Sequence, residues 1–187
     1  MKDFSVTCYC WKKPGDTAFG NVYKITLEMF AAWMEILKEI PRAILWLIDD
    51  NTTTTTNLKT HAIKAGADID RILFTPRASH EDYRAKLKLA DVFLDTFPNN
   101  CGSTTNDVMN AGLPLITMSD RTMASRMGGN ILSMFKSNRL AIHEYTHYKD
   151  QCQMIATLGS STDQSYIGRK SSLSEAIETY STSLYRS

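Results

Sequence analysis

The sequence predicts an α/β protein built on a Rossmann-like parallel sheet of five or six strands, with helices on both faces and a C-terminal helical extension. Short apolar runs rich in β-branched and aromatic residues alternate with longer segments of helical periodicity. Such alternation gives right-handed βαβ units and therefore parallel strands. The run Ala43–Ile48 is apolar throughout, as expected for a strand that is buried on both faces.

The remaining elements follow from local signals. Five strands are predicted as short apolar runs: Phe4–Cys10, Ala43–Ile48, Ile72–Thr75, Asp91–Thr96 and Pro114–Met118. Five helices are predicted from apolar spacing, caps and glycine stops: Thr26 to Pro41, Asn57–Ala65, Ser79–Leu89, Ser103–Ala111 and Thr122–Phe135. The threonine tract Thr52–Thr56 is expected to be a loop. The chain from Leu140 onward is polar and helical in character, without strands.

The composition excludes several classes of protein. The 187 residues are 43% hydrophobic and 22% charged, which is ordinary for a globular domain. The formal net charge of +1 gives no electrostatic reason to expect nucleic acid or an anionic membrane as a partner. No signal-peptide run follows Met1, and no apolar stretch approaches the roughly 18 residues that a spanning helix needs. We therefore expect a soluble cytoplasmic protein whose four cysteines are reduced: Cys8, Cys10, Cys101 and Cys152.

The most informative segment follows the fourth strand, at the edge of the sheet where ligands of open parallel sheets bind. Gly102, Ser103 and Thr104 stand at the start of a predicted helix, where backbone N–H groups, hydroxyls and the helix dipole suit a phosphate. Asp107, one turn later, suits ribose hydroxyls. Plain N-capping by Ser103 or Thr104, with Asp107 as a first-turn acid, is the alternative interpretation. The segment is not a P-loop, because no lysine follows the glycine in the required place.

Three stretches, taken together, resemble the protein O-linked N-acetylglucosamine transferase and SPINDLY family, and in particular its bacterial members. The longest is LADVFLDTFPNNCGSTTNDVMNAGLPLITMSDRTMASRMGGNIL, residues 89–132. The second is FGNVYKI, residues 19–25, and the third is TPRASHEDY, residues 75–83. Each lies at the carboxyl end of a predicted strand, and the resemblance covers roughly residues 4–135.

The resemblance implies the C-terminal, UDP-binding lobe of a GT-B fold. Residues 1–138 would form the nucleotide-sugar-binding lobe, and residues 139–187 a helical extension packed on it. The family transfers N-acetylglucosamine or a related hexose from a UDP-sugar to protein side chains, with inversion and without a metal or other cofactor. The expected partners are the UDP-sugar, an acceptor protein or peptide, a missing N-terminal catalytic lobe and tetratricopeptide repeats. The isolated chain is then expected to be inactive. A non-catalytic nucleotide-sugar or protein-binding module derived from this fold is the alternative.

The resemblance also implies the site residues. Lys24 matches the lysine that neutralises the leaving diphosphate and is the catalytic candidate; Lys24 and Asp107 are expected to be exposed at the carboxyl edge of the sheet. The other residues expected to bind the UDP-sugar are Asn21, Pro76, Ala78, His80, Tyr83, Lys86, Gly102, Ser103, Thr104 and Asp107. Tyr83 either stacks on the base or is a half-buried helix aromatic. Two positions depart from the family pattern, since Gly102 replaces a histidine and Lys86 replaces an arginine.

Other chemical motifs are interpreted as structural. Asp68-Ile69-Asp70 precedes a strand, at the wrong end of the sheet for a metal-binding D-x-D, and is expected to be a turn. The pair Asp49-Asp50 follows the second strand, whereas the acidic pair of a receiver domain follows the first. His143 and His147 have helical spacing but no third ligand, so they favour a surface helix over a metal site. Ala124-Ser125-Arg126 is expected to fix the helix that follows the fifth strand.

Overall fold

The computed structural model describes residues 4–7, 22–135 and 140–160. These residues form a six-stranded parallel sheet with the strand order β3-β2-β1-β4-β5-β6. The strands are β1 (Phe4–Thr7), β2 (Ala43–Asp49), β3 (Ile72–Pro76), β4 (Val92–Leu94), β5 (Leu115–Met118) and β6 (Ala141–Ile142). The helices are α1 (Leu27–Glu39), α2 (Thr52–Lys64), α3 (His80–Leu87), α4 (Ser103–Asn110), α5 (Met127–Met134) and α6 (Tyr145–Ser160). The predicted fold class is therefore confirmed.

The strand order reverses between β1 and β4, which lie side by side with Val6 opposite Val92 and Thr7 opposite Phe93. In an open parallel sheet, the connections on the two sides of such a reversal leave in opposite directions. A crevice opens between them at the carboxyl ends of the strands, and this topological switch point is where ligands of such sheets bind. The residues that follow β4 are therefore the first place to look for a site.

Apolar side chains of the central strands alternate between two cores. On β4, Val92 and Leu94 belong to a core shared with α1, α2 and α6, whereas Phe93 belongs to a second core with α3, α4 and α5. On β5, Ile116 faces the first core and Leu115 the second. Because successive side chains of a strand point to opposite faces, this division places helices on both faces of the sheet. Burial on both faces explains why the strand sequences are continuous apolar runs.

The threonine tract is helical, so the predicted loop at Thr52–Thr56 is wrong. Helix α2 begins at Thr52, because the Asn51 side chain caps it by accepting a hydrogen bond from the Thr54 N–H at 2.9 Å. Threonine has only a modest helix penalty, which a good N-cap offsets. The far end matches the prediction, since Gly66 adopts a φ of 73° just after the helix.

Two further elements differ from the prediction. Helix α5 begins at Met127 rather than Thr122, because the Thr122 and Ser125 side chains bond to each other and to the backbone of a preceding turn. Such local hydroxyl bonds compete with helix formation. The expectation of no strand after Leu140 is also wrong, since Ala141–Ile142 pairs in parallel with the end of β5. Two residues are too few to show a strand periodicity in a sequence.

Helix α6 packs on α1 through a buried polar contact. The Trp33 indole N–H donates to the Tyr148 hydroxyl at 3.2 Å, and Lys149 pairs with Glu35 at the surface. Cys152 on the same helix is buried and forms no disulfide, and the same is true of Cys101, whereas Cys8 and Cys10 lie outside the described residues. No helix of the described chain combines the length and the apolar content needed to cross a membrane.

We predict that Asn51→Ala lowers the free energy of unfolding by about 1 kcal/mol, because it removes the N-cap of α2. The matched control is Asn57→Ala, an exposed position inside the same helix, which should change stability by less than about 0.5 kcal/mol. Chemical denaturation followed by circular dichroism measures both. Equal effects of the two substitutions would contradict a helix that begins at Thr52.

Candidate functional site

The chain leaves β4 through two buried polar residues, Asp95 and Thr96, which are 0% and 1% exposed. Buried polar groups require hydrogen-bond partners. In the Asp95 carboxylate, Oδ1 accepts from the backbone N–H groups of Thr96 and Cys101, both at 2.8 Å, and Oδ2 accepts from the Thr117 hydroxyl at 2.7 Å. The Cys101 side chain also bonds to it. One side chain thus closes the loop 95–101 and ties it to β5.

Burial raises the pKa of Asp95 from its ordinary value of 3.8 to about 6. The hydrogen bonds from Cys101, Thr117 and Thr96 act in the opposite direction, since they favour the charged form, but they do not offset the loss of water. The carboxylate therefore titrates close to neutral pH inside the protein.

Asn100 is the second residue whose hydrogen bonds hold the loop in place, and its side chain is also buried. Its amide nitrogen donates to the carbonyl oxygens of Thr96 at 2.9 Å and Met118 at 3.1 Å. Its amide oxygen accepts from the N–H of Gly128 at 3.4 Å. Its backbone N–H donates to the Ala124 carbonyl at 3.0 Å. Asn100 therefore joins the ends of β4 and β5 to the start of α5.

Helix α5 runs directly against the Asp95 carboxylate. A Cβ atom placed on Gly128 would lie 2.6 Å from Asp95 Oδ2 and 2.6 Å from Thr117 Oγ1. Only glycine permits this approach without displacing the carboxylate or its donor. The turn that carries Ala124-Ser125-Arg126 leads into this contact, because the Ala124 carbonyl holds Asn100 and Ser125 is buried, which agrees with the structural role expected for the motif.

Lys24 lies on the other side of the switch point, at the end of a 3₁₀ turn, Val22–Lys24, that precedes α1. It is 4% exposed, and its ammonium group donates to the Asn100 carbonyl at 3.1 Å. The Thr26 hydroxyl caps α1 and reaches the Phe97 carbonyl at 3.4 Å. The expectation that Lys24 is exposed is wrong, because its ammonium turns inward to the loop after β4. The expected partner Asn21 lies outside the described residues.

Helix α4 begins without a side-chain cap, so the alternative of plain capping by Ser103 or Thr104 is wrong. The N-cap is Gly102, which has no side chain to accept a hydrogen bond from the first turn. Ser103 is exposed, whereas Thr104 is 3% exposed and its hydroxyl lies inside the protein surface. Asp107, expected to be exposed, is half-buried on the same helix. First-turn N–H groups and the positive end of the helix dipole are thus directed at the switch point.

The glycine at position 102 has a steric counterpart on α5. A Cβ atom at Gly102 would lie 2.7 Å from the terminal methyl of Met127. The space in which a side chain at position 102 would begin is therefore occupied by the end of a methionine. The sequence shows the glycine, but it does not show that Met127 packs beside it.

The residues expected to bind the base lie on β3 and α3. Pro76 ends β3 and is exposed, Ala78 is half-buried, His80 begins α3, and Lys86 is half-buried near its end. Three strand spacings separate β3 from β4, which is roughly 14 Å at about 4.8 Å per spacing. Helix α3 packs against α4. Pro76, Ala78 and the start of α3 follow the carboxyl end of β3 and so share an edge of the sheet with the start of α4, whereas Lys86 lies near the far end of α3.

Tyr83 does not lie at this edge. It is 1% exposed and packs in the second core with Leu87 and Phe93. The expectation that it stacks on a base is therefore wrong, because its ring is enclosed by apolar side chains. The helix-aromatic alternative is favoured, with burial more complete than the half-buried state expected.

The remaining candidates have structural partners. Asp68 caps the short turn Ile69–Arg71 by accepting from the Asp70 N–H at 3.1 Å, as the turn interpretation predicts. Asp50 pairs with Arg77, and Asp49 accepts from the Thr55 hydroxyl at 2.6 Å. The His143 ring lies 2.8 Å from the Ser119 carbonyl. Within the described ranges, no group of three or more histidine, cysteine or carboxylate side chains is placed to hold a metal ion.

Comparison with known proteins gives one family. The family model described as Glycosyl transferase family 41 matches residues 14–176. The probable UDP-N-acetylglucosamine–peptide N-acetylglucosaminyltransferase SEC of Arabidopsis thaliana is 31% identical over 139 residues, which cover 74% of this chain and 14% of that protein. A UDP-N-acetylglucosamine–peptide N-acetylglucosaminyltransferase of Caenorhabditis elegans is 33% identical over 109 residues, 58% of this chain and 10% of that protein. The chain thus spans a small part of the length of these relatives.

Two solved structures show the fold. An O-GlcNAc transferase mutant of Thermobaculum terrenum superimposes with a TM-score of 0.81 at 22% identity, over 95% of this chain and 32% of that one. The UDP-GlcNAc 2-epimerase of Neisseria meningitidis, bound to UDP-GlcNAc, superimposes with a TM-score of 0.57 at 9% identity, over 100% of this chain and 45% of that one. The described α/β architecture is that of one lobe of a GT-B protein.

The raised pKa of Asp95 predicts a pH-dependent stability. Between pH 3.8 and about 6 the native chain holds a proton that the unfolded chain has lost, so this contribution to stability falls as pH rises through that window. Relative to Asp95→Asn, the wild type should gain up to about 3 kcal/mol in free energy of unfolding between about pH 7 and about pH 4. Urea denaturation at a series of pH values measures the difference. A pH-independent difference, or one of opposite sign, would contradict the raised pKa.

Proposed function

This chain belongs to glycosyl transferase family 41, and from that membership and the geometry of its switch point we propose that it is the donor-binding half of a glycosyltransferase. The proposed donor is a UDP-sugar, and the proposed reaction transfers N-acetylglucosamine or a related hexose to a protein side chain. The relatives named above carry that activity in their names, but the chain spans only 14% and 10% of their lengths. The activity of the whole protein is therefore part of the proposal, as is a cytoplasmic location.

One observation carries the proposal. The Lys24 ammonium is held on the Asn100 carbonyl at 3.1 Å, two residues before the uncapped helix start at Gly102. A fixed cation and a set of first-turn N–H groups converge at the switch point of the sheet, where a diphosphate would meet both. Such preorganised positive groups stabilise negative charge as it develops on a departing phosphate.

The same arrangement supports a reaction without a metal. When a sugar leaves a UDP-sugar, the bond between the anomeric carbon and the diphosphate oxygen breaks, and the diphosphate takes the electron pair. Lys24 and the dipole of α4 would neutralise the charge that Mg²⁺ neutralises in other enzymes. We propose inversion at the anomeric carbon, with the acceptor oxygen attacking from the face opposite the diphosphate and its hydroxyl proton passing to a base of the other lobe or to water.

The nucleoside would extend from this diphosphate toward β3. Asp107 is half-buried one turn into α4, which suits a carboxylate that accepts hydrogen bonds from ribose hydroxyls. The backbone around Pro76 and Ala78 is proposed to meet the uracil edge, with His80 and Lys86 on the adjoining helix. Ser103 and Asn21 are proposed to reach the phosphates. These roles remain predictions.

A second function is favoured by one observation. The position at which the family has a histidine is Gly102, and the Met127 methyl fills the space beside it. A site without that imidazole fits a non-catalytic nucleotide-sugar-binding module. The two functions agree on donor binding and differ on transfer, so an assay with a radiolabelled UDP-sugar, a protein extract and the longer protein distinguishes them. The 187-residue chain alone is expected to be inactive, because positioning of the acceptor requires the other lobe.

We predict that the isolated domain binds UDP weakly and in preference to CMP, because it offers groups for uracil, ribose and two phosphates. Isothermal titration calorimetry with each nucleotide measures this, and added EDTA should leave the affinity unchanged. Absence of UDP binding, or equal binding of CMP, would overturn the donor-binding proposal. Loss of binding with EDTA would overturn its metal-independent part.

We also predict that Lys24→Met and Asp107→Asn each weaken UDP binding by roughly 10-fold or more, as expected for a lost hydrogen bond to a charged group. Lys64→Met, at an exposed lysine that ends α2 near the opposite edge of the sheet, is the matched control and should leave the affinity unchanged. Circular dichroism spectra of all variants establish that they are folded. Wild-type affinity in Lys24→Met would exclude this lysine from the diphosphate site.

A further inference from the structure

We propose that Asp95 is the positioning residue of this site, and that its carboxylate holds the 95–101 loop in the form that places the Lys24 ammonium and the first turn of α4 together. This inference rests on the proposed function only for its consequence for donor binding. Asp95 does not itself face the crevice, since it is fully buried, so it acts through other residues.

The first step is closure of the loop. Asp95 Oδ1 accepts two backbone N–H groups, from Thr96 next to it and from Cys101 six residues on, both at 2.8 Å. A single oxygen therefore joins the two ends of the loop. Backbone N–H groups that bond a carboxylate form stronger hydrogen bonds than those that bond a neutral carbonyl. The loop geometry thus depends on the charge of this side chain.

The second step fixes the closed loop to the rest of the sheet. Asp95 Oδ2 accepts the Thr117 hydroxyl from β5 at 2.7 Å, and the backbone of Gly128 passes so close that an added Cβ would lie 2.6 Å away. The loop therefore has one place relative to β5 and α5. A larger residue at position 128 would displace the carboxylate.

The third step leads from the loop to the cation. Asn100 lies inside the closed loop, and its carbonyl accepts the Lys24 ammonium at 3.1 Å. Two residues later, Gly102 is the N-cap of α4. If the loop relaxes, the Asn100 carbonyl and the first turn of α4 move together, and the hydrogen bond from Lys24 to Asn100 is weakened. The positions of the Lys24 ammonium and of the start of α4 therefore both depend on the Asp95 side chain.

The charge of Asp95 is sensitive to pH near neutrality. Burial and hydrogen bonds, rather than an opposite charge, set its pKa. The titratable groups that reach it are the Cys101 thiol in the loop and the Tyr148 hydroxyl of α6, which donates to the Asp95 carbonyl at 3.4 Å. β5 and α5 present the neutral Thr117 and Gly128. Protonation of Asp95 would weaken its two backbone bonds to neutral strength, so the loop that they close would be held less firmly.

The first test needs no ligand. Isotope-labelled protein is titrated by NMR between about pH 5 and about pH 8, and the Thr96, Cys101 and Asn100 amides and the Lys24 ε-methylene are followed. All four signals should share one midpoint near the Asp95 pKa of about 6, and Asp95→Asn should abolish that common titration. Thr117→Val should raise the midpoint, because it removes a hydrogen bond that favours the charged form. The proposal would be overturned if the Asn100 and Lys24 signals titrated in both variants as they do in the wild type.

The second test measures binding of UDP-GlcNAc, whose diphosphate has no group that titrates between about pH 5 and about pH 8. If positioning dominates, Asp95→Asn weakens binding roughly 5-fold at about pH 7.5, as expected for the loss of charge-assisted bonds. Asp68→Asn, a surface carboxylate at the opposite edge, should change nothing. Tighter binding by Asp95→Asn would show that the carboxylate acts only by repelling the diphosphate, and would overturn the proposal. If wild type binds no UDP-GlcNAc, the proposed function fails and the NMR titration still decides this inference.

Discussion

The arrangement of the site depends on the burial of polar groups where a central strand ends. β4 lies in the middle of the sheet, so the chain that leaves it is covered by β5 and α5 rather than by water. Each polar group in that stretch must find a partner inside the protein. Asp95 and Asn100 supply those partners, Asp95 for N–H groups and Asn100 for carbonyls and one N–H group. The two side chains differ in this way because a carboxylate only accepts hydrogen bonds, whereas an amide both donates and accepts them.

This constraint also explains the position of Lys24. The Asn100 side chain bonds to the ends of β4 and β5 and to the start of α5, and its backbone carbonyl accepts Lys24 from the other side of the switch point. A buried ammonium group is costly unless it is hydrogen-bonded, and this carbonyl supplies one bond. The two halves of the sheet are therefore joined by a cation at the place where an anionic ligand would bind. A lysine held in this way is already ordered before ligand arrives, which lowers the entropy that binding costs.

The sequence allowed the sheet to be predicted because burial on both faces leaves a simple signal. The apolar run Ala43–Ile48 and the glycine stops at Gly66 and Gly112, both at positive φ, required no tertiary information. Two of the errors share one physical origin, which is that hydrogen bonds of side chains override propensity. The Asn51 side chain caps a helix that includes the threonine tract, and the Thr122 hydroxyl stabilises a turn where a helix was predicted.

The site could be predicted in position but not in detail. The order of strands and the glycine-hydroxyl segment place a ligand at the carboxyl edge after β4, where Lys24 is also found. Burial of Lys24 and of Tyr83 could not be predicted, because it depends on which residue faces them across the fold. Asp95 was missed for a related reason. An acidic residue at the end of an apolar strand does signal a buried carboxylate, but its partner Thr117 lies 22 residues away.

Because position 102 is a glycine, the charge of the buried Lys24 becomes more important for neutralising a diphosphate. Without a side chain at position 102, the start of α4 offers backbone N–H groups, the helix dipole and a neutral hydroxyl, none of which carries a full charge. The Met127 methyl beside Gly102 is apolar and adds none. Lys24 then supplies a full positive charge to the loop after β4. If the proposed chemistry occurs here, neutralisation of the leaving diphosphate depends on that ammonium more heavily than in a site that also has an imidazole. The integrity of the 95–101 loop, which holds the ammonium, would then limit the rate as well as the affinity.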